Sequence, residues 1–301
     1  MELQEKIRRY KQTHHALIAA HTYQDAAVQD VADIVGDSFA LAQKAAVTDA
    51  ETVILCGVRF MAEGVKILAP DKRVILAEPE ADCPMARQIL PERVTAFKAT
   101  HPDWAVVAYI NTTAALKAVS DVCVTSSSAV KIVNRLPQQH ILFIPDQNLG
   151  DYVRRMVPDK EIVTWDGYCP VHHAISAADI MTSRQLWPKA KVAIHPECVP
   201  DAVSIADMVG STADIIRYIE STHDEVIVAT ERGVVDRLLP RYPDRLHQLR
   251  PDLLTCGDMK LTTIDSLVAV IEERGGEDIH MNENLMAAAR HSLEAMIELG
   301  K

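Results

Sequence analysis

At 301 residues, 48% of them hydrophobic, the chain has enough apolar mass for one large domain or for two to three small ones with packed cores. Its 42 acidic residues outweigh 31 basic ones for a net charge of −11, and no basic run is long enough to follow a phosphate backbone, which argues against a nucleic-acid partner. The charged opening MELQEKIRRYKQTHH lacks the apolar centre of an export signal, and no window nears about 18 uninterrupted apolar residues, so the expected setting is the cytoplasm, with no membrane partner.

Residues 1 to 14 read as an amphipathic helix ahead of a first α/β unit. In that unit the pattern predicts strand 16–20, helix 24–32, a short strand near Ile34, helix 38–46, strand 52–56, helix 59–69 and strand 73–78. Its first strand ends on His21 and Tyr23, Ser38 opens a helix, and Cys83 follows the last strand. A second stretch repeats the plan with Tyr109 and Asn111, then Ser126, then Cys169. The third carries His195 and Glu197, then Thr212, then Cys256. The tail, 283 to 300, has helical spacing again, with Asn282 or Asn284 available as a cap.

The register of this threefold repeat is fixed by its spacing. Counted from His21, Tyr109 and His195, an Asp recurs at +12 (Asp33, Asp121, Asp207), a hydroxyl at +17, and a Cys at +62, +60 and +61. Alternating strands and helices with short connections demand right-handed crossovers. The expected fold class is therefore α/β: three homologous three-layer αβα units with small parallel sheets around a pseudo-threefold axis. We place them at 1–102 with the N-terminal helix, 103–188, and 189–301 with the C-terminal helix. Functional loops gather at the carboxyl ends of parallel strands, where all the recurring residues fall, so the three sets are expected to line one cavity.

Of the six cysteines, Cys56, Cys123 and Cys198 do not repeat and read as small buried hydrophobes. Disulfides are rare in a reducing compartment. Cys83, Cys169 and Cys256 lack the C-x-x-C pairs of a zinc ribbon, and one soft sulfur ligand per unit suits an iron–sulfur cluster. Three protein ligands for four irons leave one iron open to act as a Lewis acid. Ser38, Ser126 and Thr212 are expected to cap their helices, at about 1 kcal/mol each, and the three helix starts to offer donors for carboxylates or phosphate. His21, Tyr23, Tyr109, Asn111, His195 and Glu197 supply donors, acceptors and proton-transfer groups. Asp33, Asp121 and Asp207 read as structural, and His172, His173 and Lys260 as supporting groups just beyond cysteines.

The ordered motifs AHTYQ (20 to 24), GDSFALA (36 to 42), CGVRFMAE (56 to 63), CPMA (83 to 86), YINTTAALKA (109 to 118), TSSSAVKIV (125 to 133), PDQNLG (145 to 150), GYCPVH (167 to 172), HPEC (195 to 198), GST (210 to 212), ATERG (229 to 233) and CGDMKLTT (256 to 263) resemble those of the quinolinate synthases, iron–sulfur enzymes of NAD biosynthesis. The resemblance implies a 4Fe-4S cluster on Cys83, Cys169 and Cys256. It implies a transferase that condenses iminoaspartate with dihydroxyacetone phosphate to quinolinate, phosphate and water. It also implies substrate binding by His21, Ser38, Tyr109, Asn111, Ser126, His195, Glu197 and Thr212. Tyr23, Glu197, His21 and His195 are the catalytic candidates, and an L-aspartate oxidase or aspartate dehydrogenase is the expected source of the imine. Two departures stand out: Ser128 occupies a position expected to be Asn, and the C-terminal C-x-x-C extension of longer members is absent. The rival readings are another three-lobed 4Fe-4S enzyme, such as hydroxymethylbutenyl diphosphate reductase or a diphthamide radical enzyme, and an iron–sulfur sensor without turnover.

Overall fold

The structure is a computed structural model that describes residues 3–301. A helix α1 (Leu3–Thr13) leads into β1 (Ala16–His21), α2 (Ala26–Val31), β2 (Ile34–Gly36), α3 (Ser38–Val47), β3 (Thr52–Cys56), α4 (Arg59–Leu68) and β4 (Arg73–Leu76). After a 3-10 turn at Pro84–Arg87 and α5 (Pro91–Thr100) come β5 (Ala105–Tyr109), α6 (Ala114–Val119), β6 (Val122–Val124), α7 (Ala129–Arg135), β7 (His140–Ile144), α8 (Gln147–Met156), β8 (Glu161–Thr164), α9 (Pro170–His173) and α10 (Ala177–Leu186). The last third holds β9 (Lys191–Ile194), α11 (Pro200–Ser204), β10 (Met208–Val209), α12 (Thr212–Ser221), β11 (Val226–Ala229), α13 (Gly233–Leu238), β12 (Leu246–Gln248) and α14 (Gly257–Leu261). It ends with α15 (Ile264–Ile271), β13 (Glu277–Asp278) and α16 (Glu283–Leu299).

The predicted strands are present because their apolar runs are long enough to be covered on both faces. Val53 to Cys56, Ala105 to Ala108, Ile141 to Ile144 and Val226 to Ala229 are all buried, the signature of parallel strands between helix layers. Three sheets result, and in each the four parallel strands of a unit lie in the order fourth, third, first, second. Even the register repeats: Ala20 faces Cys56, Ala108 faces Ile144, and Ile194 faces Ala229. The chain leaves the first strand to one side and returns on the other, so each unit has its topological switch point between first and third strands. His21, Tyr109 and His195 sit at those points.

The recurring aspartates explain part of this regularity. Asp33, Asp121 and Asp207 accept hydrogen bonds from the amides of Ile18, Val106 and Val192 at 2.9, 2.7 and 2.9 Å. Their own amides donate back to the carbonyls of the same three residues. A cation stands outside each carboxylate: Lys11, Lys98 and Arg184. Each aspartate thereby ties the exit of one helix to the middle of the first strand.

The sequence repeat ends before the chain does, and the remaining apolar stripes find their burial elsewhere. Although the sequence division groups residues 189–301, α15 sets Leu267 and Val270 into the first unit's core beside Ile7 and Tyr10. Strand β13 adds an antiparallel edge to β4, with Glu277 opposite Leu76, and Arg59 grips the Glu277 carboxylate at 2.8 and 2.6 Å. Helix α16, capped by Asn282, sets Ala289, Leu293 and Met296 into the second unit's core. Burying a Leu or Met side chain contributes about 1.5–3 kcal/mol, so this return packing is a sizeable part of the second unit's stability. None of the described helices is long and apolar enough to cross a membrane.

Candidate active site at three strand ends

The twelve site candidates, from His21 and Tyr23 to Cys256, line one cavity where the strand ends of the three sheets meet, whereas the three recurring aspartates lie outside it. The first and third units build the same turn there. The amide of Tyr23 donates to Nδ1 of His21 at 3.1 Å, and the amide of Glu197 donates to Nδ1 of His195 at 3.3 Å. An Nδ1 that accepts from an amide carries no proton, so both rings are neutral with Nε2–H free for another partner. Burial acts in the same direction, taking His21 down to about 3, with Lys260 adding to it, and His195 to about 4.

A continuous run of side chains crosses the cavity and draws on every unit. The Tyr23 hydroxyl lies 2.7 Å from Thr212 Oγ1 and 3.2 Å from Thr230 Oγ1. Thr230 Oγ1 meets His172 Nε2 at 3.1 Å, and His172 Nδ1 meets Glu197 Oε2 at 2.9 Å. The Tyr109 hydroxyl donates to the same Glu197 carboxylate, and His172 stacks on His195 with ring centres 4.7 Å apart. Burial first, and then the Glu197 charge, push the Tyr23 and Tyr109 hydroxyls well above their ordinary range, so both stay protonated. Burial also works against ionisation of Glu197, but His195, His172 and the Tyr109 hydroxyl outweigh it and hold the carboxyl below its usual value. Hydroxyl, imidazole and carboxylate in this order are groups that can pass a proton along the run.

Each recurring cysteine immediately precedes a short helical turn: Pro84–Arg87, α9 and α14. Backbone amides of those turns point at the sulfurs: Ala86 and Met85 at Cys83, His172 at Cys169, Met259 and Asp258 at Cys256. All three thiols are free, and burial pushes them up, Cys83 to about 12, Cys169 well above the usual thiol range, and Cys256 to about 11. A buried thiolate is stable only beside positive charge, and amides aimed at sulfur are the partners a metal–thiolate group requires. The donor set therefore fits a cluster held by one sulfur from each unit. Cys56, Cys123 and Cys198 are fully buried, as small hydrophobes should be.

Two buried acids hold the cysteine loops. Asp146 accepts from the amides of Cys169 and Leu149 at 3.0 and 2.8 Å, and Glu231 accepts from Cys256 and Gly233 at 3.2 and 2.7 Å. The equivalent position in the first unit, two residues past β3, is Val58, so the repeat hides this pair. Thr230 and His172, by contrast, are single-copy: positions equivalent to Thr230 are Gly57 and Pro145, and those equivalent to His172 are Ala86 and Met259. His172, expected only as a supporting group, lies within the hydrogen-bonded run, between Thr230 and Glu197. His173 turns away to stack on Tyr168, and Lys260 donates to the Tyr23 carbonyl at 2.7 Å while lying 3.5 Å from Glu231.

The expected hydroxyl caps need correction. Asp37, not Ser38, caps α3 by accepting from Phe39 and Ala40; Ser211, not Thr212, caps α12 in a capping box with Asp214; and Ser128 occupies the cap position of α7. Another good cap former precedes Ser38 and Thr212 and takes the role, which leaves those hydroxyls at the first helical position, on the cavity wall. Ser128 binds its own loop, accepting from the Thr125 amide at 2.9 Å, so the departure from Asn keeps a closed turn here.

A family model described as "NadA: Quinolinate synthetase A protein" matches residues 5–298. A quinolinate synthase of Sulfurihydrogenibium sp. is 44% identical over 293 residues, 95% of each chain. Those of Caldicellulosiruptor saccharolyticus and Aquifex aeolicus are 41% and 42% identical, over 99% of this chain and 98% and 94% of theirs.

Proposed function

Because the chain belongs to the quinolinate synthetase A family, we propose that it condenses iminoaspartate with dihydroxyacetone phosphate into quinolinate, phosphate and water, a transferase step of NAD biosynthesis. What carries this reading is the meeting, in one buried cavity, of three free thiols and a hydrogen-bonded run of proton-transfer groups. Cys83, Cys169 and Cys256 would hold a 4Fe-4S cluster, which when bound supplies a Lewis-acidic iron with an open position.

The remaining groups divide the work by their chemistry. Ser38, Ser126, Thr212 and Asn111 present short neutral donors, suited to gripping substrate carboxylate and phosphate oxygens. His21 and His195 donate through Nε2–H and hold their neutral form. Glu197 stays ionised and accepts a hydrogen bond from the His172 Nδ1 edge, so a proton taken from the substrate by way of Tyr23 and Thr230 can rest on His172 Nε2 as an imidazolium and return by the same path. Enclosure of both substrates by three units supplies the orientation that joining two molecules demands. The imine is unstable in water, so an L-aspartate oxidase or aspartate dehydrogenase is the fitting source, and the cytoplasm the fitting setting.

The test is anaerobic incubation of the reconstituted protein with oxaloacetate, ammonia and dihydroxyacetone phosphate. Quinolinate and phosphate should appear in equal amounts without any reductant, and Glu197→Gln should keep the cluster spectrum while lowering turnover about 100-fold or more. A sensor makes no quinolinate, and a reductive enzyme is silent without an electron donor, so either result overturns the proposal.

A further inference from the structure

The cavity contains one set of metal-ligating atoms that is not the three-thiol set. Cys169 Sγ, His172 Nδ1 and a Glu197 carboxylate oxygen all lie within 4.8 Å of one another. His172 Nδ1 is 3.4 Å from Cys169 Sγ and 2.9 Å from Glu197 Oε2, so a single ring edge addresses both other ligands. One thiol, one imidazole and one carboxylate make a zinc-type donor set, and a tetrahedral ion with ligands at about 2.0–2.3 Å separates them by roughly 3.3–3.7 Å. The sulfur–nitrogen separation already meets that requirement, and the nitrogen–oxygen pair has to open by only about half an ångström.

We infer that the cluster-free chain binds one zinc-class divalent cation on Cys169, His172 and Glu197, with its fourth position open to the cavity. The support around the ligands is complete. Thr230 Oγ1 stands 3.1 Å from His172 Nε2 and accepts its proton in the bound form, which frees the Nδ1 lone pair for the ion. The Tyr109 hydroxyl holds the Glu197 carboxylate in place. His172 and Glu197 are 2% and 3% exposed, so little water competes for the site. On binding, the Cys169 thiol proton leaves to solvent and two negative ligands neutralise the dication. Resting on the reading that Cys169 also ligates the cluster, cation and cluster compete for one sulfur, and a bound zinc ion blocks assembly.

The experiment titrates oxygen-free, cluster-free, full-length protein with Co2+ and follows the visible and near-ultraviolet spectrum. One Co2+ per chain should bind with tetrahedral bands and a thiolate charge-transfer band of single-sulfur intensity. The C83A/C256A double variant should keep all three features, while H172Q and E197Q should each weaken binding by about tenfold or more. Circular dichroism of the cation-free variants checks folding; should the double variant not fold, the single C83S and C256S variants should each leave the Co2+ spectrum unchanged. Loss of binding on removing Cys83 or Cys256, or a charge-transfer band that shrinks with each thiol removed, overturns the inference. In a second arm, Zn2+ added before iron and sulfide should delay cluster assembly in the wild type and much less in E197Q. Undelayed assembly with Zn2+ in this site would instead sink the role of Cys169 as cluster ligand and leave the cation site standing.

Discussion

His21 and His195 show how burial and one main-chain hydrogen bond together set the chemistry of a residue. Burial opposes the charge, with Lys260 adding to it at His21 and His172 at His195, so the rings whose Nδ1 an amide occupies resist protonation down to about 3 and about 4, against 6.5 for a free imidazole. In the unfolded chain the same rings titrate near the ordinary value, so as pH falls the unfolded state takes up protons first. Their contribution to stability is whole above pH 6.5, shrinks as pH drops towards 4, and for His21 goes on shrinking to about 3. Denaturant unfolding of the cluster-free protein at pH 7 and pH 4.5 should show this loss, and His21→Gln should have the shallower pH slope. An equal slope in wild type and variant would mean that the ring is not held neutral.

At the scale of elements, the aspartate that closes each second helix does more than pair with a surface cation. The Asp121 carboxylate accepts from the Val106 amide while the Asp121 amide donates back to the Val106 carbonyl, whereas the ion pair with Lys98 joins two side chains that are both more than one-third exposed. A hydrogen bond to a charged group is worth about 1.5–3 kcal/mol, and an exposed ion pair about 0–1 kcal/mol. Asp121→Ala should therefore cost about 1.5–3 kcal/mol in denaturant unfolding and Lys98→Ala less than about 1 kcal/mol. Equal costs would assign the effect to the ion pair. Lys117 works comparably from inside: fully buried, its ammonium donates to the carbonyls of Ile110 at 2.9 Å and of Thr112, and so braces the loop on both sides of Asn111.

Over the whole molecule, what could be foreseen was what repeats. Strands β1, β3 and β4 fall where their apolar runs predict, and twelve residues at recurring stations meet in one cavity. Thr230 escaped because the other units carry Gly57 and Pro145 at its station; Asp146 and Glu231 match each other, but Val58 breaks the set of three; and His172, read only as a supporting group, has Ala86 and Met259 at its station. Two of the three caps were misassigned by one residue because Asp37 beside Ser38, and Ser211 beside Thr212, are equally able cap formers, and the third by two, from Ser126 to Ser128; only the backbone decides between them. Amphipathic spacing announced α16 but could not name the core it covers. That core is the second unit's, so Leu293→Ala, more than one hundred residues from its neighbours on β6, should destabilise by about 2–5 kcal/mol in denaturant unfolding. A cost below 1 kcal/mol would mean that the helix packs loosely there.

The tail's return also sets a timetable for biosynthesis. Strand β4 keeps a bare edge until β13 reaches it, and the second core lacks a wall until α16 arrives, although both sheets have long since left the ribosome. The nascent polypeptide therefore keeps both surfaces sticky until residues 277–299 have emerged, and that segment acts as the clasp over the two units.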